Sequence, residues 1–128
     1  MTQSLGCRSI LVVEDEIIIG LMLCNEIERA GGTAIGPVNS VAAALKEIED
    51  RTVDVVILDA KLIDGGAARL AGCLKERRIP YVVVSGYERA NLPDVLQGVP
   101  FVSKPISIPT LMEALEVVPT AAPVRLAG

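Results

Sequence analysis

The stretch VVILDAKL, residues 55–62, decides the fold. Val55, Val56, Ile57 and Leu58 form an unbroken apolar run of strand length, without the alternation a half-exposed strand would show. Such a run reads as a strand buried on both faces, as occurs inside a parallel sheet. Asp59 ends it directly, so a carboxylate is set at the mouth of a buried strand, a position that needs a reason.

Working outward, the same grammar repeats. SILVV at 9–13 is a first strand, and the segment after it carries Ile19, Leu23 and Ile27 at helical spacing until Gly31 and Gly32 stop it. TAIGPV at 33–38 is a short strand whose Pro37 suits an edge or a strand end. SVAAALKEIED at 40–50 is a helix capped by Ser40. The strand VDVVILD at 53–59 is followed by a helix within GGAARLAGCLKERR, 65–78, and by the strand PYVVVS, 80–85. Pro93 fits only a first helical turn, which predicts a short helix beginning near Leu92. VPFVS at 99–103 is a fifth strand, and SIPTLMEALEVV at 107–118 a last helix with Pro109 near its start. Strands alternating with helices through short connections specify an α/β fold: an open five-stranded parallel sheet with helices on both faces. The expected organisation is a short N-terminal segment at 1–8, one domain at 9–118 and a flexible Pro/Ala-rich tail at 119–128.

Composition narrows the function. The 128 residues are 51% hydrophobic and 22% charged, which argues for a packed domain over a disordered chain. A net charge of −4 with 2% aromatics supplies neither the phosphate-neutralising cations nor the stacking rings that nucleic acid requires. The apolar run IIIGLMLC, 17–24, is too short to span a bilayer, so no membrane insertion is expected. The N-terminal residues lack the apolar core of a secretory signal, and a cytoplasmic location follows. Cys7, Cys24 and Cys73 are odd in number and widely spaced, and His is absent, which leaves no disulfide framework and no zinc set.

In an open parallel sheet the carboxyl ends of the strands share one edge, where ligands bind. Here that edge collects Glu14 and Asp15 after strand one, Asp59 after strand three, Ser85 after strand four and Lys104 after strand five. Carboxylates about 4 Å apart repel by about 4 kcal/mol per pair at an effective dielectric near 20, so the cluster calls for a cation. Oxygen ligands without His or Cys favour Mg²⁺. A metal, a lysine and a hydroxyl around one carboxylate are what a phosphoryl group's oxygens need, with the carboxylate as nucleophile.

These landmarks, VVEDE, VILDAKLIDG, VVVSGY and FVSKP, resemble in order those of the receiver domains of bacterial response regulators, over about Ser9 to Val118. The resemblance implies a (βα)5 flavodoxin-like architecture with strand order 2-1-3-4-5. It implies that Asp59 is phosphorylated by a histidine kinase or histidine phosphotransferase, and that Asp15, Asp59, Glu14 (through water) and the Lys61 carbonyl serve a Mg²⁺. It further implies that Ser85, with Gly86 beside it, and Lys104 bind the phosphoryl oxygens, that Phe101 and Tyr87 join a conformational switch, and that the Lys104–Pro105 peptide is cis. SGYERANLP with VPFVSKPI is similar to the FATGUY group of single-domain receivers, with Ser85 standing where the group has Thr. Ile18, Leu21 and Met22 widen the apolar arc of the first helix beyond one sheet face; they are candidate contacts for the partner's histidine-bearing helices, or else part of a more deeply buried helix.

The expected role is a stand-alone receiver that catalyses only its own phosphorylation and dephosphorylation and signals to a downstream protein target. Two alternatives compete. An aspartate-nucleophile phosphohydrolase would carry Asp-x-Asp after strand one, which VVEDE lacks. A degenerate receiver would keep the site and act only as a binding module.

Overall fold

The computed structural model describes residues 8–62, 66–86 and 92–118. Five strands form one parallel sheet: β1 (Ser9–Val13), β2 (Thr33–Val38), β3 (Val55–Asp59), β4 (Tyr81–Ser85) and β5 (Phe101–Ser103). Their spatial order is β2-β1-β3-β4-β5, the arrangement expected from the sequence. Among the described residues four α-helices cross between or follow them: α1 (Ile17–Arg29), α2 (Val41–Asp50), α3 (Ala67–Glu76) and α4 (Ile108–Val117).

The central strands are buried on both sides, and their residues divide by parity. Leu11, Val13, Val56, Leu58, Tyr81 and Val83 pack with Ala44 and Ile48 of α2 and Leu70 and Leu74 of α3. Ile10, Val12, Val55, Ile57, Val82, Val84 and Val102 pack with Leu23 and Ile27 of α1 and Leu111 and Leu115 of α4. Two cores thus sandwich the sheet, which is why β3 and β4 need apolar residues at every interior position.

Local chemistry sets the element ends. The Ser40 hydroxyl accepts from the Ala43 amide, and the Ser107 hydroxyl from the Thr110 amide, so both helices begin at side-chain caps. Gly31, in the left-handed region at φ 93°, ends α1. At the sheet edge the β1–β2 register slips by one residue: Leu11 pairs with Ile35 but Val13 with Val38. Gly36, at φ +101°, absorbs the extra residue.

One element departs from expectation. After β4 the sequence predicts a short helix from near Leu92, but among the described residues of this connection the helical segment is a single 3-10 turn, Asp94–Leu96. Pro93 has no amide to donate, Gln97 is already extended, and Gly98 takes φ 77°, so no second turn can follow before β5. Leu96 nonetheless covers the sheet as a buried side chain. The Lys104–Pro105 peptide is cis, as expected, and so is Gly36–Pro37, which was not anticipated. The segments 1–7 and 119–128, and with them the expected flexible tail, lie outside the described residues.

Candidate metal and phosphoryl site

Strand order places the site. β1 and β3 are neighbours, yet the chain leaves β1 towards β2 on one side and leaves β3 towards β4 on the other. The crevice at this switch point lies beyond the carboxyl ends of β1 and β3, where Glu14, Asp15 and Asp59 sit. Register completes the rim. Val13 pairs with Leu58, Asp59 with Val84, and Ser85 with Ser103, so the four strand ends are level to within about one residue.

Parity then sorts the side chains. Asp59 continues the alternation of Val55 and Ile57, Glu14 that of Ile10 and Val12, and Lys104 that of Val102, all on the α1/α4 side. Ser85 continues that of Tyr81 and Val83, on the α2/α3 side. One carboxylate oxygen each from Glu14, Asp15 and Asp59 lies within 4.8 Å of the others. Lys104 Nζ is 3.2 Å from Glu14 Oε1 and 3.4 Å from Asp59 Oδ2. The Lys61 amide donates to Asp59 Oδ1 at 3.0 Å, and the Glu16 amide to Glu14 Oε1 at 3.1 Å. Ser85 is buried, and its carbonyl accepts from the Lys104 amide at 2.9 Å, which ties β4 to the lysine's backbone.

Glu14 and Asp59 are 2% and 1% exposed, so two carboxylates are held almost out of water. Burial pushes the Glu14 carboxyl up to about 7, aided by its hydrogen bond with Asp59 and its charge and opposed by the Glu16 amide and Lys104. Burial and Asp59 raise Asp15 as well. Burial acts upward on Asp59 too, but hydrogen bonds from Glu14, the Lys61 amide and Asp15, together with the Lys104 charge, leave it below its ordinary value. Asp59 is therefore the member of the set that keeps its negative charge most firmly. Lys104, which burial alone would lower, is raised by Asp59 and Glu14.

The donor set fits a hard divalent cation. It offers carboxylate oxygens alone, without His or Cys, the hard ligands that Mg²⁺ takes. Glu14, Asp15 and Asp59 each bring one such oxygen within 4.8 Å of the others, so these three residues would hold the ion.

Of the residues the sequence singled out, Glu14, Asp15, Asp59, Ser85 and Lys104 meet at this rim, and Lys61 joins through its amide. Gly86 is exposed, with open space where a Cβ would stand. Phe101 begins β5 rather than ending it; it pairs with Val83 and packs against the α2/α3-side core. Tyr87 lies outside the described residues. Ile18 and Leu21 are 78% and 55% exposed, with Met22 beside them, so the apolar arc of α1 faces outward and is not a more deeply buried helix. Sequence reasoning missed Glu16, whose Oε1 lies 3.6 Å from Lys104 Nζ. Its only signal was its place beside the acidic pair.

No family model matches the chain. SdrG from Sphingomonas melonis Fr1 is 33% identical, with a TM-score of 0.74 and coverage of 87% of this chain and 95% of that one. A second SdrG structure, in its BeF3-activated conformation, is 32% identical with a TM-score of 0.74, covering 91% and 97%. A CheY-like response regulator receiver domain from Methylobacillus flagellatus is 27% identical with a TM-score of 0.74, covering 85% and 96%. The transcriptional regulatory protein PdtaR of Mycobacterium tuberculosis is 26% identical over 113 residues, 85% of this chain. The chain spans about half, 55%, of the length of that relative. Among the described residues no helix is long and apolar enough to cross a membrane. Fold, strand order, rim and relatives agree: the chain belongs to the CheY-like receiver domains of response regulators.

Proposed function

We propose that Asp59 accepts a phosphoryl group from the phosphohistidine of a histidine kinase or phosphotransferase, and that the phosphorylated chain signals by binding a downstream protein. The observation that carries this reading is the placement of Asp59: a buried, charge-retaining carboxylate at the end of β3, clustered with Glu14 and Asp15 and with Lys104 Nζ at 3.4 Å. The existence of a BeF3-activated form of SdrG supports it, since that ion mimics an acyl phosphate.

Asp15 and Asp59, with Glu14 through water and the Lys61 carbonyl, would hold a Mg²⁺. When bound, that ion offsets the carboxylates' mutual repulsion and the charge on the phosphoryl oxygens. An Asp59 carboxylate oxygen attacks phosphorus, the P–N bond to the donor imidazole breaks, and the imidazole leaves with the electron pair and takes a proton. The Lys61 amide orients Asp59 for this attack. Lys104 exchanges its carboxylate partners for a phosphoryl oxygen, and the Ser85 hydroxyl donates to another. Ser85 and Lys104 are linked through backbone, so their shift towards the phosphoryl group biases two pre-existing conformations, with Phe101 and Tyr87 as the responding aromatics.

The chain turns over no substrate other than its own acyl phosphate, acts in the cytoplasm and falls in the FATGUY-like group, a placement supported by Ser85-Gly86-Tyr87 and Lys104-Pro105. Acetyl phosphate with Mg²⁺ should add one phosphoryl group, seen by intact-protein mass spectrometry, to the wild type and none to Asp59→Asn. Labelling that persists in Asp59→Asn would refute the assignment, and hydrolysis of a simple phosphate ester would favour a phosphohydrolase.

A further inference from the structure

Gly20 closes the first turn of α1 and is buried, although glycine weakens a helix relative to alanine. Space explains it. A Cβ at Gly20 would lie 2.6 Å from Pro37 Cβ and 2.9 Å from Pro37 Cγ, with Glu14 Cβ at 3.6 Å. Contacts under 3 Å require a shift, and the proline ring has no flexible end to yield. The mid-helix Gly72 of α3 offers the contrast, with nothing within 4 Å of its Cβ position.

Pro37 itself has little room to move. The preceding Gly36 is held in the left-handed region at φ +101°, where an added Cβ would meet Val12 O at 2.8 Å. On the following side the Val38 carbonyl accepts the Glu14 amide at 2.9 Å. The segment Gly36-Pro37-Val38 is therefore clasped between α1 and the end of β1, and its far end holds the backbone of an acidic site residue. Pro37 and Val38 also wall a cavity of about 300 Å³ that reaches Glu14 and Asp15.

We propose that Gly20 is a positioning residue for the metal site: its missing side chain lets α1 seat Pro37, and Pro37 sets the Val38 carbonyl that fixes Glu14 beside Asp15 and Asp59. The inference rests on the reading of this rim as a Mg²⁺ site. Gly20→Ala pushes Pro37 off α1 and drags Glu14 with it, so Mg²⁺ affinity falls about tenfold, the low end of what disturbing groups behind metal ligands costs.

The test is a Mg²⁺ titration of metal-free chain followed by amide NMR shifts, at a temperature where each variant is folded, with wild type, Gly20→Ala and Gly72→Ala compared. Weakened binding in Gly20→Ala with unchanged binding in Gly72→Ala is the expected result. A Gly20→Ala chain that melts earlier yet binds Mg²⁺ as the wild type does would show ordinary packing and overturn the proposal. If Gly20→Ala does not fold, Pro37→Gly, which removes the ring that Gly20 accommodates, must also weaken Mg²⁺ binding, and unaltered affinity there overturns it equally. A wild type that takes up no Mg²⁺ would instead overturn the metal-site reading on which the proposal stands.

Discussion

Lys104 Nζ lies 3.2 Å from Glu14 Oε1, joining residues 90 positions apart, and the same nitrogen is 3.4 Å from Asp59 Oδ2. One ammonium thus compensates two buried carboxylates. Lys104→Met removes it and leaves both without a cation. Breaking a fully buried pair costs about 3–5 kcal/mol, and with the lysine side chain 21% exposed we expect about 2 kcal/mol here. Urea denaturation in EDTA at neutral pH measures it, and an unchanged midpoint would show that Lys104 is not the compensating charge.

Asp59→Asn should act in the same sense. The amide oxygen can still accept from the Lys61 amide, but the fold favours the charged form of Asp59, which Lys104 Nζ faces at 3.4 Å, and that charge is lost. The metal-free variant is expected to be less stable than the wild type by about 1 kcal/mol. It should also lose the stabilisation that Mg²⁺ gives the wild type, about 2.7 kcal/mol at a hundredfold excess over Kd. Thermal melts with EDTA and with Mg²⁺ separate the two effects, and a variant still raised by Mg²⁺ contradicts the ligand assignment.

The acidic set makes stability depend on pH in a definite direction. Glu14 is raised from 4.5 to about 7, so the folded chain holds a proton that the unfolded chain releases at lower pH. That contribution is complete below about pH 4.5 and is lost as pH rises through about 7. Asp15, also raised, adds to the same trend, whereas Asp59, lowered, costs stability only as pH falls below the ordinary carboxylate range. Without metal, the melting temperature should fall between pH 5 and pH 8, and Glu14→Gln should flatten the slope; a slope unaltered in that variant would remove Glu14 as its source. Mg²⁺ must displace the Glu14 proton, so its affinity should rise over the same interval.

The outward face of α1 predicts a separation of fold from recognition. Ile18 and Leu21 are exposed, so Ile18→Asp and Leu21→Asp should leave stability within about 0.5 kcal/mol of wild type. Labelling by acetyl phosphate should be unaffected, while transfer from a histidine kinase or phosphotransferase slows. Equal slowing with both donors would place the effect in the site and not at a docking face.

Much of this was legible in the sequence because it is written in short-range patterns. Unbroken apolar runs named β3 and β4, helical spacing named α1, Ser40 marked a helix start, and strand ends named Glu14, Asp15, Asp59, Ser85 and Lys104. A run of consecutive residues carries its own period and caps, so these follow from composition and order alone. What needed the tertiary structure is everything that depends on distance between remote segments. Only the packed sheet shows that Glu14 is nearly as buried as Asp59, that Glu16 reaches Lys104, that α1 turns Ile18 outward, and that Gly20 faces Pro37. The helix expected near Leu92 shrank to one 3-10 turn for the same reason: Leu96 already fills its place against the core, and β5 must begin at Phe101 to pair with β4. Side-chain chemistry specifies which groups can meet, but crossover connections and sheet register decide which of them do.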